Sequence, residues 1–177
     1  EVSCFKTVIS FKPKFKSSTE LKIGSLKTIG YGKFNQYYYL IDEYLLSQNP
    51  VLRNNALLAA GETKSSFYLK TLISILESED DNRAMNRAIA KFGSKRLSFI
   101  VNRLIKENQA DVLQKMPDIF ELIPEQASVV LLEKLLDSDH FNVRSNAIRS
   151  LKSLNDHYPL LVINQLKINR VLITETK

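Results

Sequence analysis

The stretch that decides the fold is NPVLRNNALLAAGETKSSFYLKTLISIL, residues 49–76. Asn49 and Pro50 are typical of a helix start, because an Asn side chain caps free backbone N–H groups and Pro has the φ angle of a first helical residue. Small and apolar residues then recur at helical spacing as far as Gly61. This pattern predicts a helix that ends at Gly61 in a left-handed cap.

A second helix follows at once, starting from Ser65 or Ser66. The gap between the two helices is short, as it usually is between packed antiparallel helices. Apolar residues recur every three or four positions in this second segment, which predicts a helix with one buried side. That buried side is predicted to consist of Phe67, Leu69, Leu72, Ile73 and Leu76.

The same helix pair recurs along the chain with a period near 31 residues. Five segments align with one another: 20–45, 51–76, 82–105, 110–136 and 140–166. A helix pair of this length cannot bury its apolar stripe alone, so neighbouring pairs must stack and cover one another. One position in each copy is small or unbranched and is predicted to face the next copy: Ser25, Ala56, Ala88, Met116 and Ala147.

The last copy carries the motif DHFNVRSNA, residues 139–147, followed by Leu151 and Leu154. An aspartate, a Val-Arg pair, an alanine and spaced leucines in this order resemble a HEAT repeat, and NPVLRNNA at residues 49–56 is a second good copy. The short period is similar to that of the bacterial HEAT-like units first recognised in phycobilin lyases. The resemblance covers about residues 18–172, but Met85 and Leu113 take the arginine position of the third and fourth copies.

The resemblance implies an all-α fold, a right-handed α-solenoid of about five HEAT-like helix pairs in one domain. Residues 1–17 would form a basic lead-in segment and residues 18–172 the repeats. It also implies that Arg53 and Arg144 lie along the seams between repeats, where they bond acidic side chains and helix ends. Ala56, Ala88 and Ala147 would be structural repeat positions.

A further resemblance concerns residues 112–161, VLQKMPDIFELIPEQASVVLLEKLLDSDHFNVRSNAIRSLKSLNDHYPLL. This run, with Pro117 inside a helix, resembles a block in bacterial membrane proteins. Those proteins join a nucleotide-translocase-like or major-facilitator-like transporter to cytosolic HEAT repeats. The resemblance implies a domain on the cytosolic face of a membrane. Since the chain begins Glu-Val-Ser without Met, we expect it to be a piece of a longer protein.

The composition favours a folded protein without catalytic machinery. Hydrophobic residues make up 44% and charged residues 25% of the 177, as in ordinary globular domains. The only cysteine, Cys4, fits a reducing compartment and therefore a cytoplasmic location. No set of His, Cys, Ser and carboxylate residues has the spacing of a metal site or an activated nucleophile, so we expect no catalytic residues, no metal and no cofactor.

Positive charge is concentrated at the N-terminal end. Residues 1–35 hold seven of the 25 basic residues and two of the 19 acidic ones, which leaves 18 basic and 17 acidic residues in the other 142. Lys12, Lys14 and Lys16 are therefore candidate contacts to an anionic surface, although a solvated end of the array is the simpler reading. A near-neutral remainder without tryptophan makes nucleic acid an unlikely partner.

A cluster of tyrosines offers a candidate contact for a protein partner. Tyr37 and Tyr44 fall on one side of a helix and are predicted to belong to the core. Tyr38 or Tyr39 must then point outward, where an exposed aromatic side chain near Lys33 is suited to anchor a partner.

Three functions are compatible with these expectations. The first is a non-catalytic interaction domain that forms the cytosolic part of a transporter-like membrane protein and binds a protein partner on the surface of its second helices. The second is a free-standing cytoplasmic scaffold. The third, which the lack of tryptophan disfavours, is a HEAT-like DNA glycosylase.

Overall fold

The structure is a computed structural model that describes residues 18–78 and 83–175, and all of its regular secondary structure in these ranges is helical. The predicted all-α class is confirmed for this part of the chain. Residues 1–17, and with them Lys12, Lys14 and Lys16, lie outside the described residues. The helices are α1 (Thr19–Gly32), α2 (Tyr38–Leu45, after the 3-10 turn Asn35–Tyr37), α3 (Pro50–Thr63), α4 (Ser66–Ser78), α5 (Arg83–Ala90), α6 (Gly93–Lys106), α7 (Ala110–Leu113), α8 (Met116–Glu121), α9 (Gln126–Leu135), α10 (Phe141–His157) and α11 (Gln165–Glu175).

Alternate helices pack on one another in chain order. Helix α1 packs on α3, α3 on α5, α5 on α8 and α8 on α10, and we call these the first-layer helices. The second-layer helices α2, α4, α6, α9 and α11 follow them in the chain; α4 lies against α3 and α5, and α9 lies against α8 and α10. The core between them is continuous and runs from Leu26 in α1 to Ile168 in α11.

Side-chain hydrogen bonds repeatedly join residues that are 30 to 32 positions apart. Arg149 Nη2 donates to Asp118 Oδ1 at 2.7 Å, and Ser153 Oγ donates to Glu121 Oε1 at the same distance. In the second layer, Lys134 Nζ donates to Asn102 Oδ1 at 2.6 Å. Equivalent positions of successive helix pairs therefore lie next to each other, with the spacing that the sequence alignment predicts.

The two arginines singled out by the sequence pattern bond backbone carbonyl groups next to neighbouring helices. Arg53 Nε in α3 donates to the carbonyl oxygen of Leu45, the last residue of α2, at 3.1 Å. Arg144 in α10 donates to the carbonyl oxygen of Ser138 at 2.7 Å and also pairs with Glu175 at the end of α11. The Leu45 carbonyl ends a helix and so lacks an intrahelical donor, whereas the Ser138 carbonyl lies in the loop between α9 and α10. In both cases the guanidinium group supplies a donor and ties neighbouring helices together.

The predicted start of α3 is confirmed, but its predicted end is wrong. Asn49 Oδ1 accepts hydrogen bonds from the N–H groups of Val51 and Leu52, with Pro50 as the first helical residue. The helix continues past Gly61 to Thr63, and Lys64 takes the left-handed conformation with φ 54°. Gly61 lies inside the helix because its missing side chain makes room for α5, a tertiary reason that the local pattern does not contain.

The predicted buried side of α4 is wrong at one residue. Phe67 is 62% exposed, and Tyr68 takes its place with no exposed surface. Tyr68, Leu72 and Leu76 are four residues apart and form one buried row, which Leu69 and Ile73 widen. If Phe67 were buried in place of Tyr68, the buried side of α4 would be turned by one residue around the helix axis. Because two aromatic residues are adjacent, the sequence did not show which of them faces the core.

Pro117 lies at the start of a helix, whereas the resemblance of residues 112–161 places it inside one. α7 ends at Leu113, two turn residues follow, and α8 restarts at Met116 with Pro117 in its first turn. Proline has no N–H to bond the carbonyl of residue 113, and its ring crowds the preceding turn, so a helix tolerates it best at a start. The fourth unit therefore has three helices instead of two.

The small-residue positions are buried where first-layer helices meet. Ala56, Ala88, Met116 and Ala147 have no exposed surface, whereas Ser25 in the first copy is only half-buried. Replacing Ala56 or Ala147 with leucine is expected to overpack this layer and to lower the free energy of unfolding by about 1–3 kcal/mol. Ala127→Leu, on the exposed side of α9, is the matched control for denaturant unfolding. Equal stability of all three variants would contradict the packing described.

Candidate functional site

A groove with a volume of about 440 Å³ crosses the first-layer helices α1, α3 and α5. Its floor includes Leu58, Ala59 and Ala90. Since these small and medium-sized side chains follow one another along adjacent helices, they leave a depression between longer neighbours. The groove has the size of a small-molecule or peptide side-chain pocket.

The walls of the groove are polar and carry charges of both signs. Lys27 and Tyr31 stand on α1, Glu62 on α3 and Arg87 on α5, while Lys91 follows directly after α5. Lys91 Nζ lies 2.8 Å from Glu62 Oε1, and this hydrogen bond raises the pKa of Lys91. Tyr31 is 68% exposed at the rim, where its ring is available to a partner.

Groove residues occupy equivalent positions in successive helix pairs. Lys27, Leu58 and Ala90 are 31 and 32 residues apart, and Tyr31 and Glu62 are 31 apart. The repeat alignment therefore contained the signal for this groove, but sequence reasoning placed the interaction surface on the second helices and missed it. The first-layer helices approach closely, and this brings the side chains of three units together.

The second-layer helices present exposed apolar and basic side chains. Phe99 in α6 is 71% exposed, and Phe67 in α4 and Val130 in α9 are also largely exposed. The exposed cations beside them are Lys70 of α4, Lys134 of α9, and Lys95, Arg96, Arg103 and Lys106 of α6. An apolar row flanked by basic groups on one layer is a second candidate interaction surface.

The two candidate contact tyrosines have different environments. Tyr39 is 54% exposed and remains free to act as a contact residue. Tyr38 is half-buried against the core, with its ring 5.4 Å from the Tyr68 ring in an edge-to-face arrangement. Its carbonyl oxygen also accepts the Tyr68 hydroxyl at 3.0 Å. Tyr38 therefore serves mainly to seat Tyr68, and Tyr39 is the outward residue of the pair.

The described residues bring together no group of three or more His, Cys, Asp or Glu side chains that would hold a metal ion. His140 Nε2 lies 3.0 Å from Asn108 Oδ1, and His157 Nδ1 lies 2.8 Å from the Ser153 carbonyl oxygen. The His140 contact therefore joins the start of α10 to the loop after α6, and the His157 contact stays within α10. In the ranges 18–78 and 83–175, no helix has the length and apolarity needed to cross a bilayer.

Comparison with known proteins adds no relative to these observations. Neither the models of known protein families nor the curated proteins give a match to the chain.

Proposed function

We propose that the chain is a non-catalytic helical-repeat domain, a right-handed HEAT-like α-solenoid that binds a protein partner. The observation that carries this proposal is the series of hydrogen bonds between residues 30 to 32 positions apart, in both layers. Such contacts are expected where each unit packs mainly on the next, as in a solenoid. Solenoids of this kind expose extended surfaces to macromolecular partners.

The groove on α1, α3 and α5 is the proposed partner site. It combines an apolar floor with an exposed tyrosine and with Arg87 in its wall, and tyrosine and arginine are enriched at the centres of interfaces. An extended segment of another protein fits a groove that continues across three helices. The proposed setting is the cytosolic part of a transporter-like membrane protein, supported by the resemblance of residues 112–161; a free-standing cytoplasmic scaffold is the alternative.

Crosslinking followed by measured binding tests the groove. A photoreactive amino acid at Tyr31 is expected to capture a discrete partner in cells, whereas the same group at exposed Tyr158 is not. With purified components, the double variant Lys27→Glu/Tyr31→Ala is expected to bind that partner at least about tenfold more weakly, since interface aromatic residues carry much of the binding free energy. Tyr158→Ala should bind like the unaltered protein.

Two results would overturn the proposal. Equal capture from Tyr31 and Tyr158, or unchanged affinity of the double variant, would remove the groove as the partner site. Hydrolysis of alkylated DNA, or a stoichiometric transition metal in the purified protein, would show that the domain is not merely a binding module.

A further inference from the structure

Helix α6 carries an exposed face with a strong positive charge. Lys95, Arg96, Arg103 and Lys106 all lie in this helix, all are exposed, and the helix contains no acidic residue. Phe99 stands among them with 71% of its surface exposed. An exposed phenylalanine surrounded by cations is not explained by the packing of the core.

The apolar row continues onto the neighbouring second-layer helices. Phe67 precedes Phe99 by 32 residues, and Val130 follows it by 31. Two hydrogen bonds support this alignment: Lys134 Nζ in α9 donates to Asn102 Oδ1 in α6 at 2.6 Å, and Arg96 Nη1 in α6 donates at 2.6 Å to the carbonyl oxygen of Lys64, just before α4. We call the surface formed by Phe67, Lys70, Lys95, Phe99, Lys106 and Val130 the α6 face.

Within residues 18–78 and 83–175, few acidic groups oppose this charge, and Glu125 among them already accepts a hydrogen bond from Ser94 Oγ at 2.6 Å. Glu77 lies at the end of α4, and Glu107, just after α6, sits 3.7 Å from Arg103 Nε. Glu133 in α9 already accepts a hydrogen bond from the Asn164 N–H at 2.7 Å. Lys70, Lys95 and Lys106 therefore remain as cations beside the apolar row.

We propose that the α6 face binds the surface of an anionic membrane. Amphipathic protein surfaces bind at the membrane interface by placing apolar side chains at the acyl boundary while Lys and Arg stay among the headgroups. Phe67, Phe99 and Val130 are exposed at corresponding positions of three second-layer helices, so the face offers the acyl boundary more than one apolar contact. Each cation close to an anionic leaflet then adds favourable electrostatic free energy.

The apolar row favours lipid over the other polyanions. A nucleic-acid backbone would use the cations but would gain little from Val130, which cannot stack on a base. An acidic peptide would use the same cations, but its carboxylate side chains offer Phe67, Phe99 and Val130 no apolar surroundings, whereas the acyl boundary of a membrane does. This proposal does not depend on the groove, which lies on the other layer of helices, so either proposal can fail alone.

Vesicle binding by the full chain tests the proposal. The protein is expected to bind vesicles of phosphatidylcholine and phosphatidylserine at low salt, and to bind phosphatidylcholine alone weakly. Lys95→Gln/Lys106→Gln should weaken binding roughly twenty- to thirtyfold, because each cation contributes about fivefold. Phe99→Ser should weaken it by about fivefold through the lost apolar insertion.

Matched variants on the first layer control for general charge and hydrophobicity. Arg83→Gln/Lys152→Gln removes two exposed cations, and Phe141→Ser removes a phenylalanine that is also more than half exposed. Both should leave vesicle binding nearly unchanged. Because all the altered side chains are exposed, circular dichroism is expected to report the same helix content in every variant.

Several outcomes would overturn the assignment. These are an intact protein that ignores anionic vesicles, control variants that weaken binding as much as the α6 variants, and loss of binding only when Lys12, Lys14 and Lys16 are replaced by glutamine. The last result would assign membrane contact to the N-terminal segment alone. Equal binding of duplex DNA and vesicles, with no effect of Phe99→Ser on either, would indicate a nonspecific polyanion surface instead.

Discussion

Replacing Gly61 with alanine is expected to lower the free energy of unfolding by roughly 3 kcal/mol or more, at the upper end of overpacking substitutions. Gly61 is buried inside α3, where α5 crosses it. A Cβ atom at this position would lie 2.4 Å from the carbonyl oxygen of Ala88 and 2.7 Å from its Cα atom. Both are backbone atoms, so no side-chain rotation relieves the clash and the two helices must separate.

Glycine is otherwise a poor helix former, which sharpens the test. In an open helical position, Gly→Ala stabilises a protein by about 0.5–1 kcal/mol. Gly24 in α1 is such a position, because it is exposed and a Cβ atom there would meet nothing within 4 Å. The denaturant concentration at the unfolding midpoint is therefore expected to fall for Gly61→Ala and to rise for Gly24→Ala.

Gly30 provides an independent check on the same packing. It aligns with Gly61, and its Cβ atom would lie 2.8 Å from the carbonyl oxygen of Ala59 in α3. Gly30→Ala is expected to destabilise the protein, somewhat less than Gly61→Ala does. If both variants are as stable as Gly24→Ala, then the close approach of the first-layer helices described here is wrong.

The sequence alignment located these glycines but not their role. Gly30, Gly61 and Gly93 occupy the same column, and the pattern of the second copy predicts a helix-ending glycine. Only Gly93 has a positive φ, at +78°, and a Cβ atom there would meet nothing within 4 Å. Gly30 and Gly61 instead serve interhelical contact. A local pattern identifies a residue that must lack a side chain, but the neighbouring helix decides why.

Other features of the fold also separate into those that depend on neighbouring residues, which the sequence predicts, and those that depend on tertiary packing, which it does not. The cap at Asn49 depends on neighbouring backbone groups, and the sequence predicted it correctly. Arg53 and Arg144 bond the backbone carbonyls of Leu45 and Ser138, while their role as repeat positions stays a prediction. The exposure of Phe67 depends on how α4 is turned about its axis, and the break before Pro117 depends on where α8 restarts. The spacing of apolar residues alone determines neither.

The candidate surfaces were less predictable than the helices. The groove needs side chains of three units, of which Lys27, Leu58 and Ala90 are spread over 63 residues of sequence. In the sequence, these residues are related only by occupying corresponding positions of the aligned copies. The tyrosine cluster showed that one of Tyr38 and Tyr39 points outward, but selecting Tyr39 required the position of Tyr68 in the next unit.

Tyr68 is the residue at which a second large loss of stability is expected. It lies in α4 and is fully buried. Its hydroxyl points to α2, where Asp42 Oδ1 at 2.9 Å and the Tyr38 carbonyl oxygen at 3.0 Å share the one hydrogen as acceptors. Tyr68→Ala removes the whole ring and is expected to cost roughly 3–5 kcal/mol, as for other large aromatic residues in cores. Tyr68→Phe keeps the ring and should cost about 1–2 kcal/mol through the lost hydrogen bond.

The pH dependence of stability separates the hydroxyl from the ring. Burial, followed by the hydrogen bond to Asp42, raises the pKa of Tyr68 well above its ordinary value of 10.0. In alkaline solution the unfolded chain loses this proton while the folded protein keeps it, so the hydroxyl's contribution is complete below pH 10 and declines above it. The stability gap between the unaltered protein and Tyr68→Phe is therefore expected to narrow above pH 10.

Tyr39→Phe is the matched control, because it also removes a tyrosine hydroxyl but at a side chain that is exposed. It should unfold like the unaltered protein at neutral pH. Denaturant midpoints measured from neutral pH to about pH 11, just beyond the ordinary tyrosine pKa, test both expectations. A Tyr68→Phe variant as stable as Tyr39→Phe at neutral pH would mean that the bond joining Tyr68 to α2 contributes nothing to the packing of the first two helix pairs.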